Sequence, residues 1–248
     1  MSRSLTALPV YNEVNSVDAV LNEVANYSEH VLVVDDGSTD GTSEILGRRN
    51  DILVELHPVN RGYGAALATA FQYALQNNYD ILVTIDCDGQ HEPQRIPHFV
   101  DVCSNKDVDI VSGSRYLKKY DHDSSPPAQR RLINQVITGE INEQLCLNLT
   151  DAFCGFKAYR VPALRDLVLT EPGYAMPLEL WVQAAACDLT IVEIPVPLIY
   201  LDEKRSFGGV LDDGETRLKY YREVLAESIG RVEGDLVSRR AERCGQGA

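Results

Sequence analysis

Residues 79–93 read YDILVTIDCDGQHEP, a short continuous apolar run that stops at Asp86-Cys87-Asp88, with Gln90 two places further on. An apolar run of this length, ended by turn residues, suits a strand covered on both faces of a parallel sheet. Side chains alternate along an extended chain, so Asp86, Asp88 and Gln90 fall on one side. Three oxygen-bearing side chains at i, i+2 and i+4, just past the carboxyl end of a buried strand, suit a hard divalent ion that must also hold a diphosphate. Taken alone, the same residues read more readily as an acidic turn that caps a strand and starts a helix at Pro93.

The pattern repeats on either side. Apolar runs at 5–9, 30–35, 51–56, 79–86 and 108–113 alternate with helical patterns at 16–27, 39–48, 62–77 and 93–104. That rhythm predicts an α/β fold with a mostly parallel central sheet flanked by helices. Right-handed crossovers put the carboxyl ends of such strands on one edge, where open α/β sheets bind ligands. The polar residues gather there: Pro9-Val10-Tyr11-Asn12-Glu13 after the first strand, Asp35-Asp36-Gly37-Ser38 after the second, the DCDGQ turn after the fourth, and Ser112-Gly113-Ser114-Arg115 at the fifth. Asp36-Gly37-Ser38-Thr39 by itself is a respectable turn and helix cap. Four such loops on one edge are harder to explain as capping.

Past residue 113 the rhythm breaks. KKYDHDSSPP at 118–127 is a polar, proline-containing loop long enough to be mobile and placed to act as a lid. A helix is expected over 128–147, with an apolar stripe of Leu132, Ile133, Val136, Ile137, Ile141, Leu145 and Leu147 broken by Arg131, Asn134 and Asn142. A short strand in FCGFKAYR, a helix at 175–187, a strand at 190–195 and a charged helix at 214–241 follow. The domain reading is a catalytic domain over 1–210 and a helical extension over 211–248 that packs on the domain or on a second copy in a homodimer.

Composition excludes several classes. With 44% apolar and 24% charged residues, the 248-residue chain is an ordinary globular one. A net charge of −14 argues against nucleic acid, whose binders need a basic face to displace counterions. No apolar stretch approaches the roughly 18–20 residues that span a bilayer, and none resembles a signal peptide. The six cysteines form no CxxC pair or framework spacing, so six free thiols and a cytoplasmic location are expected.

In order, LPVYNE, VVDDGSTDGT, NRGYGAALATAF, DCDGQHEP, SGSRY, TDAFCGFKAYR and EIPVPLIY resemble the family 2 glycosyltransferases of the GT-A fold, nearest to the branch that serves polyprenyl-phosphate or dolichol-phosphate acceptors. The resemblance covers residues 5 to about 205. It implies that Pro9, Tyr11 and Glu13 hold the base and ribose of a nucleotide sugar. Asp36 would contact the same nucleoside, with Gly37 allowing close backbone approach. Arg61 and Gly62 would lie near the nucleotide at a helix start that favours anions, although a glycine-rich turn into a helix reads the same way. Asp86, Asp88 and Gln90 match positions that bind Mg²⁺ or Mn²⁺. Arg115 and Arg131 match arginines that face the diphosphate or the acceptor phosphate, a task for a planar, permanently charged donor fork. Asp151 sits where related enzymes place a catalytic carboxylate, with Glu179 as the alternative; either also reads as a capping or ion-paired acid.

One segment departs from the pattern. The branch usually follows its last strand with an arginine and a Gly-x-Ser-Lys element that meet phosphates. Here the chain reads YLDEKRSFGGVLDDGE, in which Lys204 and Arg205 stand in for the arginine, no terminal lysine follows, and LDDGE adds acid. The resemblance therefore implies an inverting, metal-dependent enzyme that moves a hexose from GDP-mannose or UDP-glucose to a polyprenyl phosphate, with peripheral contact at the inner membrane face. A soluble or other non-lipid acceptor, and a non-catalytic nucleotide-sugar-binding protein, are the alternatives.

Overall fold

The computed structural model describes residues 2–105, 107–201 and 209–245, with side chains through residue 232. Seven strands, β1 (Ser4–Val10), β2 (Val31–Asp35), β3 (Leu53–Leu56), β4 (Ile81–Thr84), β5 (Ile110–Ser114), β6 (Lys157–Arg160) and β7 (Ile191–Pro195), form one sheet in the order β3-β2-β1-β4-β6-β5-β7. Four of the six strand pairings are parallel, and β6 runs against both of its neighbours, β4 and β5. The antiparallel strand has a functional consequence. It turns the loop that precedes β6, residues 151–156, onto the edge where the other strands end, with Lys157 opposite Thr84.

Alternation along the strands separates two cores. Leu5, Ala7, Leu32, Val34 and Leu82 face α3 (Tyr63–Gln76), α5 (Ala128–Leu145), α6 (Met176–Ala186) and α7 (Gly214–Gly245). Leu8, Val10, Val31, Val33, Ile81 and Val83 face α1 (Val17–Val24), α2 (Thr42–Leu46) and α4 (Ile96–Cys103). Trp181 of α6 is fully buried and donates from Nε1 to the Ala152 carbonyl at 2.9 Å, so α6 also braces the loop before β6.

Several expectations are corrected. Leu132 points outward at 59% exposure, whereas Asn134 and Thr138 of α5 are buried, so the inward stripe of this helix is partly polar. The 118–127 stretch is knitted to the segment after β7: Asp123 accepts from the Leu198 N–H at 2.8 Å, Ser124 donates from its N–H to the Leu198 carbonyl at 2.7 Å, and its hydroxyl accepts from the Tyr200 N–H at 3.0 Å. In this structure it forms a wall beside the segment after β7. Cys87, Cys103, Cys154 and Cys187 are thiols outside any disulfide, but Cys146 is disulfide-bonded, contrary to the expectation of six free thiols. The start of α7 packs on α5 and α6, with Tyr221, Val224 and Leu225 in the same core as the sheet. Lys204 and Arg205 lie outside the described residues.

Candidate active site

A cavity of about 430 Å³ opens at the carboxyl edge of the sheet. Of the residues expected there, Pro9, Tyr11, Glu13, Asp36, Gly62, Asp86, Asp88, Gln90 and Arg115 line it, whereas Gly37, Arg61, Arg131, Asp151 and Glu179 do not.

The first two loops are locked together. The Asn12 N–H donates to Ser38 Oγ at 2.9 Å, and Asn12 Oδ1 accepts from the Thr39 N–H at 2.8 Å. Gly37 has φ +74°, and a Cβ there would lie 2.6 Å from the Val59 carbonyl carbon. Its close approach is thus to the chain after β3, a correction to the expected approach to a nucleotide. The carboxylate of Asp36 takes the Arg61 N–H at 2.9 Å and the Gly62 N–H at 2.7 Å. The anion at the start of α3 is therefore Asp36 itself, and Arg61 contributes its backbone while its side chain stays outside the cavity.

The DCDGQ turn lies past the end of β4 at Thr84, outside the strand's alternation, and presents Asp86, Asp88 and Gln90, together with Cys87, to the same space. Asp86 is held by the Tyr63 hydroxyl at 3.0 Å and by His91 Nε2 at 3.2 Å, and Asp88 Oδ1 accepts from the Gln90 N–H at 3.0 Å. Gly155 makes room for Asp86: a Cβ on it would stand 2.2 Å from Asp86 Oδ2. Burial and the adjacent Asp86 charge push the Tyr63 phenol well above its ordinary pKa, so it stays a hydrogen-bond donor. Among the described residues no three His, Cys, Asp or Glu side chains are grouped to enclose a metal ion. The donor set is all oxygen and partial, which fits Mg²⁺ or Mn²⁺ when diphosphate oxygens and water complete the shell.

The same cavity also carries arginine side chains. Arg115, at the end of β5, is pinned by Asp151: Nε donates to Oδ2 at 2.6 Å, Nη2 to Oδ1 at 2.8 Å, and the Arg115 N–H to Oδ2 at 3.2 Å. Asp151 Oδ1 also takes Asn134 Nδ2 at 2.8 Å and the Phe153 N–H at 3.2 Å. Thr138 donates to Asn134 Oδ1 at 3.0 Å, which fixes the amide. Burial pushes the Asp151 carboxyl up, but the charge and hydrogen bonds of Arg115 outweigh it, and the net shift is below the ordinary value. A fully buried, ionised carboxylate with five donors cannot reach an acceptor. The geometry corrects the expected catalytic role to one of holding Arg115. Glu179 is likewise buried, accepting from the Thr170 N–H at 2.7 Å, the Thr170 hydroxyl at 2.8 Å, the Glu171 N–H at 2.7 Å and Arg231 Nη1 at 2.8 Å. It braces the 170–171 loop, away from the cavity.

Three further residues, Arg130, Arg217 and His57, were missed by the sequence reading. Arg131 stacks over the Tyr116 ring at 4.5 Å, while its neighbour Arg130 lines the cavity beside Tyr200; successive helical residues point about 100° apart. Arg217 of α7, 3% exposed, also lines the cavity and donates from Nη1 to the Leu211 carbonyl at 2.8 Å. Burial lowers its pKa, and of its neighbours Tyr221 opposes and Arg130 reinforces that shift. The available signal was Gly214-Glu215-Thr216-Arg217, a Gly-x-hydroxyl-cation tetrad overlapping the acidic LDDGE run. The acid in that run is a helix cap: Asp213 Oδ1 accepts the Thr216 N–H at 2.8 Å and its hydroxyl at 2.7 Å. The third residue, His57, sits behind Asp36.

Residues 6–168 match the family described as glycosyl transferase family 2. An undecaprenyl-phosphate mannosyltransferase of Micrococcus luteus is 31% identical over 222 residues, covering 85% of this chain and 90% of that one. The chain belongs to glycosyl transferase family 2. This family 2 chain is also similar to a polyprenol monophosphomannose synthase of Mycolicibacterium smegmatis, at 29% over 204 residues, 78% of this chain and 76% of that one. Its fold is that of the GT-A glycosyltransferases. The glucosyl-3-phosphoglycerate synthase of Mycobacterium tuberculosis, solved with UDP, superposes with a TM-score of 0.70 at 20% identity, covering 92% of this chain and 80% of the other. A further structure of that synthase contains Mn²⁺ with UDP-glucose and phosphoglyceric acid. Both the family and the curated relatives make this chain a hexosyltransferase.

Proposed function

We propose that this glycosyltransferase moves a hexose, with inversion, from a nucleoside diphosphate sugar to the phosphate of a polyprenyl phosphate, with GDP-mannose as the first donor to test and UDP-glucose as the second. The observation that carries the reading is one cavity whose wall carries both acids and arginines. Glu13, Asp36, Asp86, Asp88 and Gln90 of the proposed donor loops line it, and so do Arg115, Arg130 and Arg217. Asp86, Asp88 and Gln90 would hold Mg²⁺ or Mn²⁺, which supplies charge stabilisation for the departing diphosphate. Tyr63 and His91 fix Asp86 for that task, and Asp151 fixes Arg115.

The acceptor side has a chemical logic of its own. Both carboxylates expected as bases are buried and saturated, and the acids that line the cavity lie on the donor loops. A hydroxyl acceptor needs a base to take its proton, whereas a phosphate is already anionic at neutral pH. Arg130 and Arg217 supply matching charge, that of Arg115 being already paired with Asp151. A soluble phosphorylated acceptor shares that chemistry, and the synthase of similar fold carries phosphoglyceric acid in its structure. Among the described residues no helix is long and apolar enough to cross a membrane.

Transfer of labelled hexose from each donor, with Mn²⁺, to a short polyprenyl phosphate, to the matching polyprenol and to 3-phosphoglycerate tests the proposal. Label should enter the lipid phosphate alone, and EDTA or Asp88→Ala should abolish it. Transfer only to phosphoglycerate would replace the lipid acceptor. Tight donor binding with no turnover on any acceptor would point to a sensor.

A further inference from the structure

His57 follows β3 and is placed beside Asp36 by the sheet itself, its N–H donating to the Asp35 carbonyl at 2.9 Å. Its ring is almost wholly enclosed, with 6% of the side chain exposed, and stands between two partners. Nδ1 lies 2.6 Å from Asp36 Oδ1, and Nε2 lies 2.9 Å from the Thr69 hydroxyl of α3. Asp36 lines the cavity and His57 does not, so the imidazole is the layer behind the carboxylate.

The division of labour on Asp36 is asymmetric. Oδ1 carries both His57 Nδ1 and the Arg61 N–H, and Oδ2 carries the Gly62 N–H. A carboxylate turns easily about its last torsion, so a fixed plane needs donors from more than one direction. Arg61 and Gly62 belong to the loop that opens α3, and both reach Asp36 from that one side. His57 is the contact that ties the carboxylate to the end of β3 and, through Thr69, to the body of α3. A hydrogen bond to a charged group in a buried setting is among the stronger ones.

We propose that His57 is a positioning residue of the donor pocket, engaging one oxygen of Asp36 so that the other meets the donor nucleoside as a single acceptor in a fixed place. This rests on the proposed donor chemistry, and it extends that chemistry to a residue outside the cavity wall. The group that Asp36 Oδ2 reads is one N–H or O–H of the nucleoside.

Isosteric replacements separate this role from mere core filling. His57→Asn keeps an amide donor where Nδ1 stands, His57→Gln carries its amide to the Thr69 side, and His57→Leu keeps neither. Donor KM with Mn²⁺, and calorimetric affinity for GDP and UDP, should worsen about tenfold in the Gln and Leu variants, the weight of one charge-assisted hydrogen bond. Turnover at saturating donor should stay within about twofold, and His57→Asn should recover most of the affinity. Thr69→Val, which leaves the ring in place, should cost a few-fold in the same constant and serves if the Leu variant does not fold. Folded Gln and Thr69→Val variants that bind donor like the wild type would overturn the role of His57, as would an Asn variant no better than Gln. A wild-type chain that binds neither GDP nor UDP removes the donor reading itself, and this role with it.

Discussion

Replacing Asp151 by asparagine keeps the side chain's shape, removes its charge and puts an amide where a carboxylate oxygen stood. If the amide nitrogen takes the Oδ2 position, it confronts Arg115 Nε, now 2.6 Å away, and the Arg115 N–H at 3.2 Å, both donors. If it takes the Oδ1 position, it meets Arg115 Nη2, Asn134 Nδ2 and the Phe153 N–H. Neither orientation satisfies the site. Breaking a buried ion pair from one side costs about 3–5 kcal/mol. Arg115 keeps 21% of its side chain exposed, so water recovers part of its charge and the loss should lie near about 3 kcal/mol. In a chain of this length that lowers the melting temperature by about 6–12 °C. Thermal and urea unfolding would measure it, with turnover of the folded fraction read alongside. The pH dependence has a definite sign. The folded Asp151 carboxyl titrates below its ordinary value, so the pair contributes fully above about pH 4 and the contribution is lost as pH falls through the folded pKa. The stability gap between wild type and Asp151→Asn should therefore be flat at neutral pH and close only in acid. A variant that melts within about 1 °C of the wild type yet loses turnover more than about 1,000-fold would refute the positioning role and restore a catalytic one.

Gly155→Ala should drive the Asp86 carboxylate off Tyr63 and His91, because the new Cβ would fall 2.2 Å from Oδ2 and 2.6 Å from Cγ; donor affinity in Mn²⁺ titrations should fall about tenfold or more. Glu179→Gln should lower stability by about 2 kcal/mol in urea unfolding through its contacts to Thr170, Glu171 and Arg231, with donor and acceptor KM within about twofold of the wild type. Arg217→Leu and Arg130→Leu should raise the acceptor KM about tenfold and leave donor affinity unchanged in calorimetry, since both line the cavity from α7 and α5, outside the proposed donor loops.

Much of the fold is legible because buried strands and amphipathic helices impose different periods. HVLVVDD and YDILVTID became β2 and β4, fully buried in the sheet. The reversed direction of β6 was not legible, since a buried strand has the same period whichever way it runs. That reversal is what brings Asp151 and Gly155 to the ligand edge. The donor loops were readable because their residues follow directly on strand ends. The acceptor side was harder, because an acid that works on substrate and an acid that holds an arginine look alike in one dimension. Asp151 and Glu179 are told apart from catalytic carboxylates only by burial and by their donors. Arg130 and Arg131 differ by one step of a helix, and Arg217 comes from an element outside the sheet rhythm altogether. His57 carried no signal beyond its position at the end of a predicted strand.

The central claim is that this cavity joins a hexose from a nucleoside diphosphate to a phosphate oxygen with inversion. Proton and phosphorus NMR on the purified chain with Mn²⁺, a short polyprenyl phosphate and GDP-mannose, and then UDP-glucose, follows the bond made and the anomer together. The account predicts that one donor is consumed in step with a new hexosyl phosphate whose anomeric configuration is opposite to the donor's, and that EDTA stops both signals. Product with the donor's configuration retained, or donor that is bound and never consumed, would contradict it.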